Sequence, residues 1–97
     1  MLNYIEIGKK EGATLQCGGN RPDRKGYFVD TTIFTDVTDD MTIAREEIFG
    51  PVMCIMKFKD VDEAIRRAND TPFGLVSGVV TQNLDSALTV SEKLKSG

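Results

Sequence analysis

The sequence contains no histidine. That removes Ser-His and Cys-His nucleophile pairs and the commonest zinc ligand, so any chemistry here rests on carboxylates, backbone amides or a lone thiol. Cysteine is nearly as scarce, with only Cys17 and Cys54. That is too few for a disulfide framework, and a reducing, cytoplasmic setting is the simpler reading. No apolar run approaches the roughly 18–20 residues of a membrane span. The opening MLNYIEIGKKEG lacks the basic region and long apolar core of a signal peptide. Positive charge is not in excess either: 12 Lys and Arg stand against 15 Asp and Glu, a net charge of −3. The cations are interspersed with acids, so nothing steers the chain toward nucleic acid or anionic lipid.

What is present is ordinary globular composition in 97 residues, 40% hydrophobic and 28% charged, enough for one small domain with a modest core. Leu2 and Ile5 lie one helical turn apart, and Lys9, Lys10 and Gly12 are helix-stop chemistry, so a helix runs through the opening and Met1 begins inside or just before it. TLQC reads as a short strand, GGNRPDRKG as a loop, and YFVDTTIFTDV as extended chain. TDDMTIAREE fits a turn followed by one short helical turn.

The second half has a clearer pattern. Val52 to Phe58 is almost continuously apolar, as in a strand covered on both faces. Asp60 is an N-cap with Glu63 three residues on, a capping box for a helix whose face is Val61, Ala64, Ile65 and Ala68. Pro72 ends it. GLVSGVVT reads as a second buried strand. Asn83 caps a last helix with Leu84, Ala87, Leu88 and Leu94 as its stripe and Gly97 suited to its end. The fold class expected is α/β: a βαβα portion of a doubly wound, mostly parallel sheet, incomplete because two parallel strands need more neighbours than the chain supplies.

Few residues offer chemistry. Cys54 sits mid-strand, where desolvation raises a thiol pKa and lowers its reactivity, and a buried small hydrophobe is the commoner fate of a free cysteine. Cys17 is the more exposed of the pair but has no histidine to activate it. Gly18-Gly19 fits a loop closing two strands, since neither G-x-G-x-x-G nor G-x-x-x-x-G-K-[ST] occurs. DVTDD lacks the spacing of a calcium loop and reads as a solvated turn. The stretch REEIFGP, residues 45–51, remains open. Glu46 and Glu47 are solvated and Phe49 is core, or one carboxylate grips a cis-diol through its two acceptor oxygens with Phe49 beside it. Gly50-Pro51 breaks the local structure so that the chain enters the sheet.

MTIAREEIFGPV, EAIRRANDTPFGL and GVVTQNLDSAL together resemble the aldehyde dehydrogenase superfamily, and the resemblance runs over essentially the whole chain. The finer likeness is to its betaine-aldehyde and broad-specificity branches. The resemblance implies a partial catalytic domain over residues 1–97 of an NAD- or NADP-dependent enzyme that oxidises an aldehyde to a carboxylic acid. In such enzymes a cysteine thiolate attacks the carbonyl, hydride passes to nicotinamide, and a separate glutamate activates the hydrolytic water. By resemblance Glu47 holds the nicotinamide ribose hydroxyls, Phe49 packs beside the nicotinamide end, and Glu46, Ile48, Gly50 and Pro51 frame them. Residues 69–75, NDTPFGL, match a structural turn and strand start. Neither Cys17 nor Cys54 lies in the nucleophile motif, and the general-base glutamate is missing, so no catalytic residue and no metal ligand is assigned. Val76-Ser77 depart from the small residues usual there. The expectation is a piece of a longer, homo-oligomeric enzyme, with coenzyme binding and activity doubtful for these residues alone. The alternative is a non-catalytic association unit or a small regulatory α/β module.

Overall fold

The computed structural model describes residues 2–23 and 25–97. The expectation for Met1 lies outside them. The chain forms two compact units, Met1–Lys57 and Phe58–Gly97.

The first unit holds helix α1 (Leu2–Lys10), strands β1 (Thr14–Cys17) and β2 (Thr32–Thr35), the single-turn helix α2 (Thr42–Arg45) and strand β3 (Val52–Cys54). Helix α1 stops where its sequence indicates. Gly12 takes the left-handed conformation at φ +100°, and the Ala13 amide donates to the Gly8 carbonyl at 3.1 Å, closing the helix end in the Schellman manner. Strands β1 and β2 pair antiparallel, and β2 and β3 pair parallel, in the order β1-β2-β3.

Gly18 and Gly19 do close β1 onto the loop to β2, and their backbone explains why glycine stands there. A Cβ on Gly18, at φ +75°, would lie 2.1 Å from the Thr31 carbonyl oxygen. The approach lets the Gly19 amide donate to the Thr32 hydroxyl at 2.9 Å, while that hydroxyl donates to the Asp30 carbonyl at 2.8 Å. Thr32 is fully buried, and its polar group is satisfied on both sides, as burial requires.

The core is Ile5, Phe34, Val37, Met41 and Ile43, with Tyr4, Leu15, Val29, Ile48, Val52 and Cys54 packed around it. Phe34 is fully buried at the centre. Helix α1 reaches it because Gly8 has no side chain: a Cβ there would stand 3.1 Å from both the Phe34 ring and Ile43 Cδ1. Glycine inside a helix costs about 0.5–1 kcal/mol relative to alanine, and close packing over Phe34 offsets it.

Strand β3 is shorter than its apolar run. It ends at Cys54, and one more bond, from the Ile55 amide to the Phe34 carbonyl at 2.8 Å, completes its pairing. Val52 and Cys54 pack against the core while Met53 between them is exposed, and residues 55–58 are all exposed, so the run is covered on one face, over residues 52–54 alone, instead of on the two expected. Only one neighbour, β2, pairs with it among the described residues.

The second unit contains helices α3 (Val61–Asn69) and α4 (Leu84–Lys93). Both begin as the sequence indicates: Asp60 Oδ1 accepts from the Glu63 amide at 2.8 Å, and Asn83 Oδ1 accepts from the Ser86 amide at 2.9 Å. The Glu63 carboxylate reaches back to the Lys59 amide at 3.1 Å, one residue before the capping-box position, and forms an ion pair with Arg67 at 3.4 Å. Ile65 is buried, and α4 buries no residue completely.

Two expectations are corrected here. The segment 74–81 forms no strand, because a strand exists only with a ladder partner and none pairs with it among the described residues. Helix α4 ends at Lys93 and not at Gly97. The Asn69 side chain explains the early stop, since its amide donates to the Lys93 carbonyl at 2.9 Å and its oxygen accepts from the Lys95 amide at 2.8 Å. The tail then turns toward Gly74, whose carbonyl accepts from the Gly97 amide at 3.1 Å.

Replacing Gly8 by Val forces a branched side chain against Phe34 and Ile43. Equilibrium urea unfolding of the Gly8→Val chain is expected to show a loss of about 1–3 kcal/mol, the scale of an overpacked core, and no loss at all would contradict the packing described.

Candidate functional site

Helix α2 has 4 residues, too few to stand alone, because helix nucleation fixes several residues for a single hydrogen bond. Its N-cap residue Met41 supplies no side-chain cap. The missing acceptor comes from α1's end: Glu11 Oε1 accepts from the Thr42 amide at 3.1 Å. At the other end Glu46 is the C-cap, its amide donating to the Thr42 carbonyl at 2.9 Å. The Tyr4 hydroxyl, again from α1, donates to Glu46 Oε1 at 3.2 Å.

Beyond α2 the backbone is extended at Glu46 (φ −104°, ψ 152°). Glu46 turns to Tyr4 and Ile48 packs against the core, while Glu47 and Phe49 are exposed. Period-two alternation of this kind is what an extended segment imposes on its side chains. The Gly50 amide then donates to the Ile48 carbonyl at 3.0 Å and the Val52 amide to the Gly50 carbonyl at 2.8 Å. These are consecutive three-residue turns centred on Phe49 and Pro51. The Pro51 carbonyl accepts from the Thr32 amide at 2.8 Å, which joins the turn to β2.

The two adjacent glutamates therefore differ in kind. Glu46 is engaged by Tyr4. Glu47 forms no hydrogen bond or ion pair among the described residues, and its two oxygens are available as acceptors. Beside it the Phe49 ring is 82% exposed. A free carboxylate next to an uncovered aromatic ring can grip paired hydroxyls and pack on the ring that carries them. The carboxylate of Glu46, as acceptor and as charge, raises the Tyr4 pKa above the ordinary tyrosine value.

The remaining candidates separate cleanly. Cys54 is partly buried, its thiol 3.7 Å from the Ile43 carbonyl, and desolvation raises its pKa, which leaves less thiolate at neutral pH. Cys17 is exposed, with its thiol directed at the Thr31 carbonyl at 3.9 Å. In the acidic turn, Asp36 accepts from the Thr14 hydroxyl at 3.0 Å and Asp40 from the Thr38 hydroxyl. The latter bond lowers the Asp40 pKa. No group of three or more Cys, Asp or Glu residues able to hold a metal ion occurs among the described residues, and no helix there is long and apolar enough to cross a membrane.

Reading by motif missed Tyr4 and Glu11. Their signal is spacing: Tyr4, Gly8 and Glu11 stand at i, i+4 and i+7, one face of α1, with the small residue in the middle.

The geometry defines an α/β segment that presents a carboxylate and an aromatic ring from a tight entry into a sheet. The chain matches the aldehyde dehydrogenase family over residues 1–97 and belongs to it. It is 61% identical over 97 residues to cytosolic aldehyde dehydrogenase 1 of Rattus norvegicus, covering 100% of this chain and 19% of that protein. It is 60% identical to an aldehyde dehydrogenase of Enchytraeus buchholzi, covering 20% of that protein. The solved NAD+ complex of a Bacillus cereus aldehyde dehydrogenase superposes with a TM-score of 0.92 at 58% identity, over 99% of this chain and 20% of that one. An NAD+ complex from Mycobacterium tuberculosis gives 0.94 at 42% identity, again over 99% and 20%. The chain thus spans about a fifth of the length of its relatives.

The Tyr4–Glu46 bond can be read optically, because Tyr4 and Tyr27 are the only tyrosines. In a Tyr27→Phe background, tyrosinate absorbance reports Tyr4 alone. Replacing Glu46 by Gln is expected to lower its titration midpoint toward the ordinary tyrosine value. The folded-state pKa is raised, so the bond persists through neutral pH and is lost as pH rises past that pKa. An unmoved midpoint in Glu46→Gln would mean that the carboxylate does not hold the phenol.

Proposed function

We propose that residues 1–97 are part of the catalytic domain of an NAD- or NADP-dependent aldehyde dehydrogenase, both compact units belonging to that one domain. In this reading the whole enzyme converts an aldehyde to a carboxylic acid, and this segment contributes nicotinamide-ribose contacts through Glu47 and Phe49. The observation that carries the reading is the asymmetry of the glutamate pair. Both are exposed, but Glu46 is bonded to Tyr4, whereas Glu47 has no partner among the described residues and stands two residues from an exposed phenylalanine.

The residues fit a ribose in kind. A cis-diol offers two donors, and the Glu47 carboxylate offers two acceptors at fixed separation. The coenzyme, when bound, accepts the hydride. Glu47 orients the ribose, Phe49 covers one side of the attached ring, and Ile48 anchors both to the core. None of these moves a proton or attacks a carbonyl, so their contribution is positioning, which can supply several kcal/mol of a barrier when the geometry is held. The thiolate and the water-activating base belong to other parts of such an enzyme, since neither Cys17 nor Cys54 is an activated nucleophile here. A cytoplasmic location of the whole protein accords with the cytosolic name of the rat relative.

In a full-length family member carrying these 97 residues, Glu47→Gln is expected to slow single-turnover NADH formation by about 10- to 100-fold, the scale of a misplacement of about 1 Å. Unchanged single-turnover kinetics would overturn the assignment.

A second reading, that these residues alone act as an association unit, is favoured by one observation. Leu75 is 90% exposed, Val76 78% and Val80 103%, in a segment with no ladder partner among the described residues. Unpaired apolar chain of this type templates self-association. The purified 97-residue chain is expected to elute as a dimer or larger species and to form no NADH from aldehyde. A monomeric mass by light scattering would sink this reading.

A further inference from the structure

Helix α1 touches α2 at three places that lie on one of its faces. Tyr4 holds Glu46 after the last turn, Gly8 lies against Ile43 in the middle, and Glu11 caps Thr42 at the start. The contacts are a hydrogen bond of 3.2 Å, a close approach in which a Cβ would stand 3.1 Å from Ile43 Cδ1, and a hydrogen bond of 3.1 Å. On α2 they cover every part of a 4-residue helix that has no side-chain cap of its own. The chain leaving that helix has one residue, Glu46, before the exposed Glu47. Whatever fixes Glu46 therefore fixes the direction in which Glu47 leaves.

From this juxtaposition we infer that Tyr4 and Glu11 are positioning residues for Glu47 and Phe49, α1 acting as a splint along α2. The inference deepens the reading of Glu47 as a ribose-gripping carboxylate, on which it rests for its functional meaning. The physical content is independent of any ligand. A free glutamate side chain keeps rotamer and backbone freedom that must be lost on binding, and the splint removes the backbone part beforehand. Glu46 could be replaced by any residue that accepts from Tyr4. Its role is to carry the tie across one peptide bond.

The test uses the isotopically labelled 97-residue chain and two kinds of readout. Tyr4→Phe deletes a single hydroxyl, and the tyrosine ring keeps its place against the core. Amide hydrogen exchange at Glu46 and Gly50, whose amides donate to the Thr42 and Ile48 carbonyls, is expected to quicken about three- to tenfold, the range that a single hydrogen bond's net contribution allows. The β2 amides of residues 32–35 should stay within about twofold, since additivity fails only for groups in contact. The Glu47 carboxylate and Phe49 ring resonances should shift in the same variant. Glu11→Ala should quicken exchange at Thr42 and at residues 44–46, whose amides are hydrogen-bonded, and Glu11→Gln, which keeps an acceptor oxygen, should restore it.

A merely structural role predicts a different pattern, with β2 and the Glu46 and Gly50 amides quickening together and Glu11→Gln behaving like Glu11→Ala. That pattern, or unchanged exchange at Glu46 and Gly50 in Tyr4→Phe, overturns the inference. Titration of a full-length family member carrying these 97 residues with nicotinamide mononucleotide then separates it from the functional reading. If Glu47→Gln leaves the affinity unchanged, the ribose assignment fails, and the exchange data still decide whether the splint exists. If Glu47→Gln weakens binding, Tyr4→Phe is expected to weaken it by about the same three- to tenfold factor as its exchange effect, with Glu47 intact.

Discussion

Everything in the first unit depends on how closely α1 can lie on Phe34. The ring is fully buried between the helix and the sheet, and the helix passes over it at a glycine whose Cβ would touch both Phe34 and Ile43 at 3.1 Å. A larger residue at Gly8 would lift α1 from the sheet and from α2 together. The ends of the helix would lift with its middle, and Tyr4 and Glu11 would no longer reach Glu46 and Thr42. A packing constraint at one backbone position thus sets the position of a carboxylate on the opposite side of a short helix. Packing and polar contacts act here as one device, because a close-packed interior transmits a small displacement instead of absorbing it.

The neighbouring glutamates illustrate how a fold separates residues that a sequence makes equivalent. Both are acidic, both follow α2, and composition gives no reason to prefer one. One peptide unit of extended backbone sends them to opposite sides. Glu46 becomes a structural acceptor, and Glu47 remains available. The phenylalanine two residues on shares the outward side, and the isoleucine between them holds the segment down. The consequence is a pair of side chains held on a well-anchored frame although the segment itself is neither helix nor strand.

Much of this was legible in the residues. The helix end at Gly12 and the caps at Asp60 and Asn83 follow from local chemistry that acts within a few residues, and each stands where the sequence places it, as does the single turn at residues 42–45. The family likeness was also legible, because REEIFGP and RANDTPFGL are specific strings, and the whole-chain match bears it out. What escaped was non-local. A strand over residues 74–81 requires a partner that local propensity cannot supply, and the two-sided burial of the run after Val52 requires a second layer. The stop of α4 at Lys93 depends on Asn69, 24 residues earlier. The Tyr4 and Glu11 contacts join residues 42 and 31 apart, and no motif window contains both partners.

Asn69 shows what one side chain can do when it imitates the main chain. Its carboxamide has the same donor and acceptor as a peptide group, and it bonds Lys93 and Lys95 as a neighbouring strand residue would. The last residues of the chain are thereby hydrogen-bonded to a helix end without any strand being present. Aspartate has nearly the same shape but no donor, and leucine has the volume but neither function. The position consequently demands an amide for its symmetry of bonding and not for its size. Unwinding of the last turn of α3 would thus remove both bonds that tie Lys93 and Lys95 to it, so the end of one helix bears on the end of another.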